Sequence, residues 1–230
     1  MGRIFENLRE AYNEIERDIS EMGITVKPKS MQNKIIEGND DFTTLEIQNY
    51  NFTILSLKDK DSLLSEECLN WCREEFKERI SNDSSVNPGK AYLLRENVWK
   101  EFLNEDGYFD YTYHDRIKCQ IDYIIEELKK NQDSRQCVID IHDWSDCHWL
   151  GGQKRLPCSL NYIFMIRRGK LDIIYNMRSS DYDTHFLNDC YLADELRNYI
   201  AKKVGVGIGL FSMNIGSLHR YKNYIKKHVF

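Results

Sequence analysis

Ile4, Leu8, Tyr12, Ile15 and Ile19 recur at helical spacing among charged residues, which predicts an amphipathic helix over the first twenty residues, closing near Gly23. Its apolar stripe calls for a core or a dimer face. Alternating apolar and polar positions predict strands over residues 44–54 and 162–177, the second broken by a turn at Arg167-Arg168-Gly169-Lys170. Helical periodicity marks residues 65–80, 117–130 and 189–204, and short apolar runs at 137–141 and 209–214 read as further strands. Residues 81–90, rich in Asn, Asp, Ser, Pro and Gly, form the expected loop. No internal repeat or linker divides the chain. Helices interleaved with strands predict an α/β or α+β fold in a single domain over residues 1–230.

Composition narrows the function classes. With 41% hydrophobic residues, 3 prolines and 12 glycines, the chain is neither disordered nor collagen-like. Its 32 basic and 37 acidic side chains leave a net charge of −5, which argues against a bulk grip on nucleic acid or an anionic membrane. A few local arginines suffice for a small anion. Seven cysteines, an odd number without framework spacing, point to a reducing compartment. The N-terminus lacks a signal-peptide apolar stretch and no run approaches the roughly 20 apolar residues of a membrane span, so a cytoplasmic location is expected. Glu6 stands where a myristoylation motif wants Ser or Thr.

Candidate chemistry concentrates in two places. In Leu156-Pro157-Cys158-Ser159 a cysteine follows a proline and opens a strand. A free cysteine is usually a small buried hydrophobe, so this alone carries little. Twenty residues on, Arg178-Ser179-Ser180-Asp181 puts a guanidinium beside hydroxyls at a strand end, where its planar fork suits a phosphate and its charge favours a nearby thiolate. A strand-end salt bridge is the plainer reading of that motif by itself.

Taken in order, Asp133-Ser134-Arg135, Leu156-Pro157-Cys158, Gly169-Lys170-Leu171, Arg178-Ser179-Ser180-Asp181, Asn188-Asp189 and Ser217-Leu218-His219-Arg220-Tyr221 resemble the thymidylate synthase superfamily. The likeness covers residues 131–221, with a fainter match at Asn97-Val98-Trp99 and Tyr111-Thr112-Tyr113. The resemblance implies a mixed sheet flanked by helices, a homodimer packed sheet to sheet, and a pyrimidine nucleoside monophosphate as substrate. It implies that Cys158 attacks C6 of the base, and that C5 then takes a one-carbon unit from 5,10-methylenetetrahydrofolate. By the same match Arg178 and Ser179 hold the phosphate and Arg135 reaches across from the second subunit. His219 and Tyr221 bind the sugar hydroxyl, Asp181 lines the base and folate site, and Tyr113 stands near the reacting carbon.

Which base is bound turns on one position. In the family the base selector lies eleven residues after the phosphate arginine, which here is Asp189. A carboxylate accepts from the exocyclic amine of cytosine but cannot donate to O4 of uracil. Phe186-Leu187-Asn188-Asp189 is similar to the deoxycytidylate hydroxymethylases, so dCMP is favoured over CMP. A shift by one residue would make Asn188 the selector, leave Asp189 as a helix-start carboxylate, and favour uracil. The chain ends nine residues after Tyr221. The resemblance ties a long C-terminal lid to methylation, so a short tail fits water addition and hydroxymethylation. It also suggests Glu67, in Ser65-Glu66-Glu67-Cys68-Leu69-Asn70-Trp71, as the group that positions this water. Gln136 stands where the family has a second arginine, which motivates both a silent nucleotide-binding homologue and a substitute cation from Lys27 or Lys29.

Other signals carry less. His142, Asp143, Asp146, Cys147 and His148 crowd together, but no C-x-x-C pair completes a tetrahedral metal set, and none is expected. Gly205, Gly207 and Gly209 read as a turn into the last strand, and Lys226, Lys227 and His228 as a short basic tail.

Overall fold

The structure is a computed structural model describing residues 2–83 and 86–222; the Lys226, Lys227 and His228 tail lies outside them. Strands β1 (Arg3–Asn7), β2 (Ile24–Val26), β5 (Thr44–Ser56), β6 (Val138–Asp140), β7 (Ser159–Arg167), β8 (Lys170–Asp181) and β9 (Gly207–Tyr221) form one mixed sheet. Its order is β1-β5-β9-β8-β7-β6, with β2 also paired to β5. The β1/β5 and β8/β9 pairs are parallel and the rest antiparallel. A separate hairpin, β3 (Ser30–Met31) with β4 (Lys34–Ile35), stands off the sheet. The predicted turn at 167–170 is the β7–β8 hairpin, made by Arg168 at φ 54° and Gly169 at φ 69°, the left-handed pair that a two-residue hairpin requires.

Alternation along β7, β8 and β9 drives one face into the core: Tyr162, Phe164 and Ile166, then Leu171, Ile173 and Tyr175, then Phe211, Met213 and Ile215. Against this face pack the helices α1 (Leu8–Met22), α5 (Tyr113–Lys130) and α6 (Phe186–Val204). Helix α2 (Glu66–Arg79) packs outside α5 and α6, and the short helices α3 (Lys90–Leu94) and α4 (Glu96–Trp99) follow it. The opposite face carries half-buried Ile163, Met165 and Ile174 and a hydrogen-bonded ladder of Asn161, Asn176 and Asn214, each step 2.7 Å.

Several boundaries differ from the sequence reading, each for a local reason. The first helix begins at Leu8, because Asn7 caps it by accepting the Glu10 N–H and Asp59 accepts the Leu8 and Arg9 N–H groups. Residues 3–7 pair instead with β5, which turns Ile4 outward. Helix α5 starts at Tyr113, ahead of the apolar repeat, through a Thr112–Asp115 capping box. Helix α6 starts at Phe186, so Asp189 lies within its first turn, and the helix ends at Gly205 with φ 86°. Strand β9 runs to Tyr221, well past the predicted 209–214, and so carries His219 and Tyr221 to the same end of the sheet as Arg178.

Candidate active site

At that end of the sheet, under the first turn of α6 and the inner face of α2, lies a cavity of about 580 Å³. Cys158 sits on its wall at the start of β7, with its sulfur 3.7 Å from the Ser179 hydroxyl on β8. Arg178 folds over the same loop, donating from Nε to the Pro157 carbonyl at 2.9 Å, from a terminal nitrogen to the Leu156 carbonyl at 3.2 Å, and from the other to Ser179 Oγ at 3.2 Å. Backbone pairing fixes this arrangement, since the Arg178 N–H donates to the Cys158 carbonyl at 2.8 Å. Gly216 on β9 lies directly beside it: a Cβ there would sit 2.8 Å from the Arg178 carbonyl oxygen. Nucleophile and cation are therefore neighbours by strand register.

The deep wall is a polar cluster in a dry setting. Tyr113 on α5 and Tyr175 on β8 both hydrogen-bond the Ser159 hydroxyl, and the buried Arg79 guanidinium stacks on the Tyr113 ring at 3.9 Å while its Nε donates to Glu75 at 2.8 Å. Asp189 projects beside them from α6, accepting one hydrogen bond from Ser180 at 3.4 Å. Desolvation pushes its carboxyl up to about 7, against the pull of Arg79 and Ser180. Burial likewise raises the Tyr113 phenol and lowers the His185 imidazole.

The structure brings Cys158, Tyr113, Asp189, Arg178, Ser179, Asp181, Asn188, His219 and Tyr221 onto this one cavity. Asn188 is spent within the fold: its amide nitrogen donates to the Thr184 carbonyl at 3.1 Å and its oxygen accepts from the Cys72 thiol at 3.4 Å. Two expectations are corrected. Glu67 is exposed in the first turn of α2 and does not line the cavity, which is met only from the next turn onward, by Trp71, Glu75, Glu78 and Arg79. Lys27 and Lys29 do not supply a cation. Alternation turns Val26, Pro28 and Ser30 inward, and the lysines pair outside with Asp40 at 2.5 Å and Glu37 at 2.8 Å. Arg135 is exposed in the turn before β6, outside the cavity of its own chain. The crowd at 142–148 is a turn in which Asp143 and Asp146 form a capping box and Asp146 pairs with Arg116 at 2.8 Å.

Sequence reasoning missed Gln32, Glu75, Arg79, Tyr111, Arg155 and His185, all on the cavity wall. Arg155 had a signal, lying three residues before Cys158 on the same loop. Gln32 had none, since only the β3–β4 hairpin carries it to the sulfur. Trp99, Phe102, Phe109 and Trp149 also line the cavity, the first three in mutual ring contact around Trp99.

A thiol held beside a guanidinium, with a half-buried carboxyl on the same cavity at the end of a mixed sheet, is an arrangement suited to nucleophilic chemistry on an anionic ligand. Comparison with known proteins makes the class specific. The family described as thymidylate synthase matches residues 10–229, and the chain belongs to that family. Among curated relatives, a putative thymidylate synthase of Methanocaldococcus jannaschii is 37% identical over 174 residues, 65% of this chain and 76% of the relative. A deoxyuridylate hydroxymethyltransferase of Pseudomonas phage M6 is 34% identical over 156 residues, 65% of this chain but 38% of the phage protein. The thermostable thymidylate synthase A of Bacillus subtilis superposes with a TM-score of 0.71 at 20% identity, covering 95% of this chain and 81% of that one, and so shares the fold. The chain is thus a folate-dependent one-carbon transferase of a family that binds nucleoside monophosphates and uses methylenetetrahydrofolate as donor.

Proposed function

We propose that the protein hydroxymethylates C5 of a cytidine monophosphate, dCMP before CMP. The observation that carries this reading is the contrast at the start of α6: Asn188 has both ends of its amide occupied, whereas Asp189 faces the cavity with one carboxyl oxygen that has no hydrogen-bond partner among the described residues. Position and availability favour Asp189 as the base selector. Its free oxygen accepts from the exocyclic amine of cytosine, and its proton, present on a carboxyl near 7, is shared with N3.

In this mechanism the Cys158 thiolate bonds C6 and the C5=C6 electron pair moves to C5, which bonds the new carbon. C5 then gives up its hydrogen as a proton as the carbon parts from its carrier nitrogen, water adds to that carbon, and expulsion of the Cys158 thiolate restores the C5=C6 bond. Arg178 and Ser179 hold the 5′-phosphate and thereby set the ring over the sulfur. His219 and Tyr221 take the sugar hydroxyl, and Asp181 and Tyr113 close the base pocket. Glu75, an α2 carboxylate that lines the cavity and pairs with Arg79, takes the water-positioning role in place of Glu67. Trp99, Phe102, Phe109 and Trp149 would hold methylenetetrahydrofolate, which would supply a carbon at the oxidation level of formaldehyde. The assembly is a homodimer packed through the open sheet face, in which the partner's Arg135 adds a cation at the phosphate.

A second reading, uracil as substrate, has specific support. A neutral carboxyl both donates and accepts, so it also satisfies O4 and N3–H of uracil, and the phage M6 relative is a deoxyuridylate hydroxymethyltransferase. Tritium release from C5-labelled dCMP, CMP and dUMP, with and without methylenetetrahydrofolate, separates the two, and product analysis distinguishes hydroxymethyl from methyl. Release from dUMP alone rejects the cytosine reading. No release from any of the three leaves a nucleotide-binding protein without turnover.

A further inference from the structure

Arg155 is set in the cavity wall within a ring of aromatic side chains, its guanidinium 4.6 Å from the Trp99 ring centre, 4.9 Å from Tyr111 and 5.8 Å from both Phe102 and Phe109. Ring faces offset part of the cost of removing this cation from water, but they accept none of its five N–H groups in the directional way an oxygen does. Among the described residues Arg155 has no carboxylate and no carbonyl partner. The acids nearby are committed elsewhere: Glu101 to Lys34, Asp110 to Lys154, Glu75 to Arg79, and Glu78 to the Ala91 N–H.

A second orphan stands beside it. The Tyr111 hydroxyl is buried on a residue only 7% exposed and has no hydrogen-bond partner, although Tyr111 lines the cavity. A buried hydroxyl left unpaired costs about 1–3 kcal/mol, so such groups in native proteins usually await a ligand or water. Burial pushes this phenol up to about 12 even with Arg155 and Arg178 pulling the other way, so it stays a neutral donor. Two unmet donors, one of them cationic, thus adjoin one another on the wall of the cavity that Cys158 also lines.

We propose that Arg155 and Tyr111 form an anion-binding subsite of their own, which takes a phosphate or carboxylate group of a ligand lying in the cavity beside Cys158. The guanidinium fork donates to two oxygens of the anion and the phenol donates to one of them. Two ligands of the proposed reaction bring such a group: the 5′-phosphate of the nucleotide, where the subsite replaces the cation absent at Gln136, or the glutamate carboxylate of the one-carbon carrier. This inference rests on the proposed function for the identity of the ligand, while its test reads binding and needs no turnover.

The test is calorimetric titration of the full chain and of its Arg155→Leu, Arg155→Lys and Tyr111→Phe variants. The ligands are dCMP against deoxycytidine, and tetrahydrofolate against tetrahydropteroate, which lacks the glutamate. For one charged ligand, Arg155→Leu weakens binding about tenfold to a hundredfold, with its uncharged or des-glutamate counterpart unchanged. Arg155→Lys keeps part of the affinity, since charge remains but the fork is lost. Tyr111→Phe costs about fivefold. Loss confined to the dCMP pair assigns the phosphate, and loss confined to the folate pair assigns the carboxylate; either supports the subsite. Equal loss for charged and uncharged members of a pair, or no loss in either, overturns it and leaves Arg155 as packing for the rings. Should Arg155→Leu fail to fold, Arg155→Lys and Tyr111→Phe carry the same comparison. Failure of the functional reading shows separately, as a wild-type chain that binds with the Arg155-dependent difference yet releases no tritium.

Discussion

The side-chain amide of Gln32 bridges two points of the nucleophile's loop: its nitrogen lies 3.6 Å from Cys158 Sγ, and its oxygen accepts the Leu156 N–H at 3.1 Å. Gln32 occupies the tip of the β3–β4 hairpin with φ 53°, a conformation a branched or bulky residue rarely adopts. The hairpin therefore holds an amide donor on the sulfur and orients it toward the cavity.

Removing that donor without removing bulk tests its contribution. Gln32→Leu loses both hydrogen bonds, and a hydrogen bond to a charged sulfur is worth about 1.5 kcal/mol, so tritium release from labelled substrate slows about tenfold near neutral pH. Gln32→Glu, which replaces the donor by an anion, slows it further. Rates within twofold of wild type for both variants would show that the contact has no part in the reaction. Cys158→Ala sets the floor: it abolishes release while dCMP binding remains measurable.

The choice of Glu75 over Glu67 follows from burial, since Glu75 lines the cavity and Glu67 is exposed one turn before it begins, and is open to a paired substitution. Glu67→Gln alters a solvent-facing side chain and leaves product formation within about twofold. Glu75→Gln removes a cavity-facing carboxylate bound to Arg79 and lowers product formation about a hundredfold, in the range of one general acid–base group. Exchange of the C5 hydrogen without folate should fall less than product formation, because the water-positioning role acts after the thiol has added. The reverse pattern between the two variants would return the role to Glu67.

Elements with a clean period were legible from sequence: the β7–β8 hairpin, α2, and the body of α6 stand where the apolar repeats placed them. Boundaries set by capping were not, because Asn7 and the Thr112–Asp115 box act through side-chain oxygens that leave no trace in apolar spacing. The ordered motifs around Cys158, Arg178 and His219 were readable since each lies at the end of a long strand whose register carries it to one place. Glu67 was misplaced by depth along the helix: it shares the stripe of Trp71, Glu75 and Glu78 but stands one turn ahead of them, in the exposed first turn of α2, and only the later turns line the cavity. Gln32 and Tyr111 gain their importance only from long-range contacts, with Cys158 in one case and Arg155 in the other.

Asp189 should make both stability and turnover depend on pH in a determined direction. Its carboxyl sits at about 7 in the folded chain, against about 4 in an unfolded one. Between those values the folded state holds more protons than the unfolded, so the group costs stability as pH rises and the cost is complete above about 7. Asp189→Asn imitates the neutral acid and removes that cost. The variant should therefore melt higher than wild type at about pH 8, and the gap should close by about pH 4, where the carboxyl is protonated in both states. Turnover moves the same way, since either pyrimidine edge is matched fully only when one proton is shared with the carboxyl. Wild-type tritium release should fall about tenfold per pH unit above about 7. In Asp189→Asn this fall disappears, and preference shifts toward uracil, whose O4 the amide can reach with a donor. Arg79→Met removes the cation that holds the carboxyl down and moves the wild-type midpoint upward. A wild-type profile flat through neutrality, with Asp189→Asn no more stable at high pH, would mean the carboxyl is ionised and solvated in place, and the selector would have to be sought elsewhere on the cavity wall.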